Sequence, residues 1–129
     1  MKAVRFHEFG GPDVLRYEDV DVPRPGAGEL RIRVAGTTFN GVDDGIRGGY
    51  LREPFPVTLP HIPGIDVAGT VDALGEGVTG FEVGEDVIGF LPIVGDGAAA
   101  EYAIAPAKVR AQLRLKTYSL QPLPLPFLG

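Results

Sequence analysis

Residues 64 to 89, GIDVAGTVDALGEGVTGFEVGEDVIG, decide the fold. They read as a strand, a glycine-punctuated turn, an acidic connector and a second strand. Ile65, Val67, Gly69 and Val71 alternate with Asp66, Ala68, Thr70 and Asp72, the period of a half-buried strand. Gly75-Glu76-Gly77 turns the chain, and residues 87 to 91 form a continuous apolar strand. Glycines inside apolar patterns mark sharp turns and close backbone approaches in a β-rich fold. The run Gly75-Glu76-Gly77-Val78-Thr79-Gly80 is glycine-rich, but a nucleotide loop follows a strand and opens a helix in a βαβ unit. Here Phe81 and another strand follow, so it is rejected as a phosphate site.

Working outward, residues 2 to 6 alternate, with Val4 and Phe6 on one face, and predict a first strand. Phe9-Gly10-Gly11-Pro12-Asp13 is a turn. Residues 14 to 22 predict a second strand, whose Asp-Val alternation leaves one face wet. Leu30, Ile32 and Val34 alternate with Arg31 and Arg33, the clearest strand in the chain. The period changes at residues 40 to 49, where Val42 and Ile46 sit four apart. Asp43 and Asp44 then fall in the first turn of a short helix, where carboxylates suit the dipole, and Gly48-Gly49 ends it. Pro54, Pro56, Pro60 and Pro63 make residues 51 to 63 an irregular loop. Gly95-Asp96-Gly97 is a loop and residues 99 to 105 a last strand. Residues 108 to 116 are basic, and Pro122, Pro124 and Pro126 then alternate with Leu123, Leu125 and Phe127. That spacing predicts extended, polyproline-like backbone.

The chain has 129 residues, enough for one domain, with 44% hydrophobic and 22% charged residues as in a folded protein. Its net charge of −5 and the lack of a basic stripe argue against a nucleic-acid partner. It has no cysteine, which excludes disulfides and thiolate metal sites. The N-terminus MKAVRFHEFGG lacks a secretory apolar core, and no apolar run reaches the roughly 20 residues of a membrane helix. Cytoplasm is the expected compartment, with no membrane partner.

Residues 1 to 107 resemble the N-terminal, GroES-like domain of the medium-chain dehydrogenase/reductase superfamily. The resemblance rests on MKAVRFHEFGGPDVL, on Asn40-Gly41-Val42-Asp43, on residues 63 to 89 and on Ala100-Glu101-Tyr102. The Gly-Gly-Pro-Asp-Val-Leu opening is similar to the zinc-independent quinone oxidoreductase branch. Glu85 is a small departure, where the family usually carries Asp. The resemblance implies a mainly β (α+β) fold: a GroES-like twisted, partly open β-barrel with short helices. It also implies a Rossmann domain beside the barrel, with NAD(P)H in the cleft and hydride passing to a quinone or enone. Residues 108 to 129 are expected to form a divergent, proline-rich tail.

The same resemblance bears on metal. Zinc-dependent relatives place a cysteine at position 40 and a His-Glu pair at positions 65 and 66. Asn40 is a poor zinc ligand and Ile65 is none, so no zinc is expected. Asp66 alone makes no site, and is expected as an exposed residue of a half-buried strand. A quinone or enone needs its developing oxyanion stabilised by a donor. Asn40 is the first candidate, for catalysis and for contact with the nicotinamide end, because matching asparagines in relatives sit there. An ordinary helix N-cap explains Asn40 equally. Tyr50 is the second catalytic candidate, set against a partly buried loop tyrosine. His7 and His61 are expected at the surface or in loops. Asp43 and Asp44, as adjacent helix residues, face different directions. Phe39, Phe55 and Tyr102 are expected in the core or pocket wall.

No Gly-x-Gly-x-x-Gly βαβ unit occurs in the chain, so the family's Rossmann domain and the returning barrel segment are expected to be missing. A truncated polypeptide, a frameshifted end or a natural fragment would each look like this. Cofactor binding by the chain alone is then expected to be weak. The open barrel edge is expected to be covered by residues 120 to 128 or by a second copy, giving a homodimer. Two function classes follow. One is the substrate-side domain of a zinc-independent NADPH-dependent quinone or enone reductase. The other is a non-catalytic GroES-like interaction or oligomerisation module.

Overall fold

The computed structural model of the protein describes residues 1–107. The boundary drawn at 107, the polyproline-like tail and the covering of an edge by residues 120 to 128 lie at or outside the limit of the described residues. Strand β1 (Lys2–Phe6) pairs antiparallel with β2 (Leu15–Asp19), with Lys2 facing Asp19 and Phe6 facing Leu15. The turn between them contains one 3-10 turn, Pro12–Val14. Strands β3 (Glu29–Gly36), β4 (Asp66–Leu74), β5 (Asp86–Phe90) and β6 (Tyr102–Pro106) make a second sheet in the order β5-β4-β3-β6, every neighbour antiparallel. One α-helix, α1 (Gly41–Gly48), lies between β3 and β4 in the chain. The described fold is thus mainly β, as expected, with open sheets rather than a closed barrel.

The core sits on one face of the larger sheet. Leu30 and Ile32 of β3, Val67 and Val71 of β4, Val87 of β5 and Ala103 and Ala105 of β6 are buried with Leu91 and Ala98. On the other face Arg31 makes a two-bond pair with Asp72, at 2.8 and 3.1 Å, and its guanidinium carbon stands 5.2 Å from the centre of the Tyr102 ring. Paired, directional bonds of this kind hold β3 against β4. They also raise the Arg31 pKa above its ordinary value, chiefly through the hydrogen bond to Asp72. Gly69 stands mid-strand because a Cβ there would run into the Arg33 carbonyl oxygen. Strand pairing shifts register nearby, between Val34 and Gly36.

Two isolated bridges, Ala3 to Ala100 and Phe6 to His61, fasten the hairpin to the rest of the described molecule. Two expectations are corrected. Strand β2 stops at Asp19 rather than Val22, because its partner β1 begins at Lys2; Val20 makes one last bond to Met1 O at 2.8 Å, and the strand then has nothing to pair with. The last strand begins at Tyr102 rather than Ala99, since residues 99 to 101 are spent on β1: Val4 N donates to Ala99 O at 2.7 Å. His61 lies in the loop of residues 51 to 63, one of its two expected placements, and is buried there, 3% exposed. Its backbone exchanges two 3.0 Å bonds with Phe6, and its ring meets the Phe6 ring edge-on at 5.5 Å. Burial pushes the His61 pKa below its ordinary value, against the opposing pull of Asp96 and Asp43. His7 does lie at the surface, 2.6 Å from Glu18, whose carboxyl is held low by His7 first and Arg5 second.

Candidate functional site

The first turn of α1 is built by one side chain. Asn40 is extended, at φ −116° and ψ 178°, and its Oδ1 accepts from Val42 N at 2.9 Å and Asp43 N at 3.2 Å. Asp43 Oδ2 accepts in return from Asn40 N at 3.2 Å, completing a capping box that satisfies the otherwise unpaired amides of a helix start. At the other end Gly49 takes φ +83°, the left-handed conformation that closes a helix, and donates to Ile46 O at 3.1 Å. The expected helix and both its ends are therefore present.

Asp43 and Asp44 do diverge. Asp43 is 1% exposed and turns inward, where its Oδ1 accepts from Gly64 N at 2.9 Å. Asp44 is exposed and pairs with Arg47 at 2.5 Å. Arg47 is itself buried and reaches Gly10 O at 3.3 Å, so the helix grips the turn after β1.

The Asn40 side chain also reaches away from the helix. Its Nδ2 donates to Asp66 Oδ2 at 3.1 Å, and Thr38 Oγ1 donates to the same oxygen at 2.5 Å. Thr37 Oγ1 donates to the backbone oxygen of Asp66 at 2.7 Å. Residues 37 to 40 and the start of β4 are thus laced together. Asn40 then has both oxygen lone-pair directions and one amide hydrogen in use. Among the described residues its second Nδ2 hydrogen has no partner. A half-buried amide N–H held this way is a donor ready for a ligand oxygen.

Tyr50 lies beyond the other end of α1, about 12 Å of helix away by backbone rise, so the structure does not bring the two candidates together. Tyr50 is 85% exposed, not partly buried, because its ring lies over Gly48 outside the core. Phe39 is also exposed, with the Arg47 guanidinium carbon 5.2 Å from its ring centre, so it belongs to no core. Phe55 and Tyr102 are half-buried.

Asp66 is the residue that sequence reasoning undervalued. It is half-buried and gathers two donors, rather than being an exposed strand residue. The signal was available: it follows Gly64 at a position paired, through the resemblance, with position 40. Among the described residues no group of three or more His, Cys, Asp or Glu is placed to hold a metal ion. Nor do the described residues contain a βαβ unit; residues 75 to 80 join two antiparallel strands. They offer no cradle for a dinucleotide pyrophosphate, so this site fits at most one end of a nicotinamide cofactor.

Comparison with known proteins bears on the domain as a whole. The family model described as the alcohol dehydrogenase GroES-like domain matches residues 26–114. The chain is 45% identical over 107 residues to a quinone oxidoreductase of Lama guanicoe, covering 81% of this chain and 31% of that protein. Among solved structures it resembles a quinone oxidoreductase of Pseudomonas syringae, with a TM-score of 0.80 and 30% identity over 93% of this chain and 34% of that one. A mycobacterial structure complexed with NADPH matches with a TM-score of 0.77 and 36% identity over 92% of this chain and 34% of that one. The chain spans about a third of the length of the curated relatives it matches.

Proposed function

We propose a function from one premise: this chain belongs to the alcohol dehydrogenase GroES-like domain family of the medium-chain dehydrogenase/reductase superfamily. It acts as the substrate-side domain of a zinc-independent, NAD(P)H-dependent oxidoreductase that reduces quinones or enones, working with a nucleotide-binding domain. The cytoplasm is its setting and a homodimer its assembly. The observation that carries the reading is the unspent amide hydrogen of Asn40, held at the N-terminus of α1 by Val42, Asp43 and Asp66.

The nicotinamide, when bound, supplies the hydride. The residues of this chain then have one task, which is to meet the charge that develops on the acceptor. As hydride reaches a quinone or enone, its carbonyl oxygen turns into an oxyanion. Asn40 Nδ2–H donates to that oxygen. Because the amide is already fixed, it loses little freedom in doing so, and preorganised donors of this kind typically lower the barrier by about 3 kcal/mol. Tyr50 stands outside the core, where its hydroxyl can touch a substrate at the rim.

The test is NADPH consumption with a simple quinone, measured for this chain and for the chain fused to a complete nucleotide-binding domain. Turnover by the fusion is the expected result. Absence of turnover in both would overturn the enzyme reading and leave an interaction module in its place.

A further inference from the structure

Asn40 carries a planar amide whose two ends differ, and two separate parts of the fold specify which end points where. Its oxygen faces Val42 N–H and Asp43 N–H, and its nitrogen faces the Asp66 carboxylate. A half-turn of the amide would set N–H against N–H at the helix and oxygen against oxygen at Asp66. We infer that Asp66 is a positioning residue for Asn40: by taking one amide hydrogen it fixes which single N–H an acceptor carbonyl meets. This inference rests on the reading of Asn40 as the donor to the quinone or enone oxygen.

The helix cap alone constrains only the oxygen end. Without Asp66 the NH2 group still points away from the helix, but nothing selects its tilt. Asp66 supplies that second constraint, and it is itself held. Its Oδ2 takes the Thr38 hydroxyl as well as the amide, and its backbone oxygen takes Thr37 Oγ1 at 2.7 Å. Its backbone opens β4 and pairs with Phe90 of β5. A carboxylate acceptor gives a stronger bond than a neutral one, so the orientation it imposes is stiff. Both side-chain groups around Asp66 Oδ2 are donors, which suits a positioning role rather than cation binding.

The test uses the isotope-labelled chain in solution. A scalar coupling across the hydrogen bond, from Asn40 Nδ2 to the Asp66 carboxylate carbon, is expected in the unaltered protein and needs no variant. Asp66→Ala should speed exchange of the Asn40 side-chain amide with solvent by roughly tenfold or more, the loss of one charge-assisted bond. Backbone protection at Val42, Asp43 and Gly64 should stay unchanged. Asp66→Asn keeps an acceptor oxygen and should restore most of the protection. With 1,4-naphthoquinone as probe, Asp66→Ala should weaken the quinone-dependent shift of the Asn40 amide signal and Asp66→Asn should retain it. Absence of the coupling, or an Asn40 signal indifferent to Asp66→Ala, would overturn the inference. An intact coupling together with a catalytically silent fusion would support Asp66 as the residue that orients Asn40 while removing the reductase reading.

Discussion

Asp43 and Gly64 are 21 residues apart in sequence, and a 2.9 Å bond from the Gly64 amide to the buried Asp43 carboxylate joins them. It fixes the start of α1 against the loop that leads into β4, and so sets Asn40 beside Asp66. Removing the carboxylate strands both the Gly64 and the Asn40 amides. Asp43→Ala should lower stability by about 3 kcal/mol, while Asp43→Asn, which keeps an acceptor, should cost less. Denaturant midpoints at unchanged slope check this.

Gly64 itself has φ +101°, and a Cβ there would stand 2.8 Å from Thr37 Oγ1 and 3.1 Å from Ala99 N. Gly28 has φ +74° with open space around it. Gly28→Ala should therefore cost only the backbone term, about 1 to 2 kcal/mol. Gly64→Ala adds a clash and should cost about 1 to 3 kcal/mol more. Thermal unfolding of the two variants side by side separates strain from crowding; equal losses would mean the crowding is relieved freely.

Asn40 has two duties that substitution can divide. Asn40→Ala loses cap and donor together, and should destabilise the chain by about 1 kcal/mol. Asn40→Ser keeps a good cap but no amide hydrogen, so its stability should stay within about 0.5 kcal/mol of the original. In the fusion protein both variants should lose quinone turnover, by about 100-fold for a single oxyanion donor. Full activity in Asn40→Ser would show that the cap is the whole of its role.

Tyr50 projects into solvent, so Tyr50→Phe should leave stability within about 0.5 kcal/mol. A drop in quinone turnover of the fusion would then report the hydroxyl directly. A KM change with constant kcat would assign it to binding alone.

His61 carries a pH signature. Its folded pKa lies below the unfolded value of about 6.5, because burial disfavours the charged ring. Between the two values the unfolded chain holds more protons than the folded one, so stability rises with pH. It should be full above about pH 6.5 and fall as pH drops towards the folded value. Denaturant titrations at several pH values should show this slope, and His61→Gln should flatten it in that window.

Much of this was readable before any coordinates. The alternation of Leu30 and Ile32 with Arg31 follows from a sheet with one buried face, and the structure buries the first two while pairing Arg31 with Asp72. The helix and its two ends followed from period, acidic first turn and glycine pair. What escaped was tertiary. Strand β2 ends where its partner runs out, which local pattern cannot register. His61 is buried because a bridge to Phe6 carries it inward, 55 positions away in the chain. Asp66 looked like a strand's wet face until Thr38 and Asn40 were folded onto it.

The amino-terminal strand pairs early with β2 but finds its outer partners late. Lys2, Val4 and Phe6 bond to Glu101, Ala99 and His61. During synthesis from the amino end, that strand must wait for almost all of the following hundred positions to emerge before its outer register can close. Such distant closures are slow to form. Until then the hairpin lacks its outer bonds, and the last ratchet of assembly is expected at that strand.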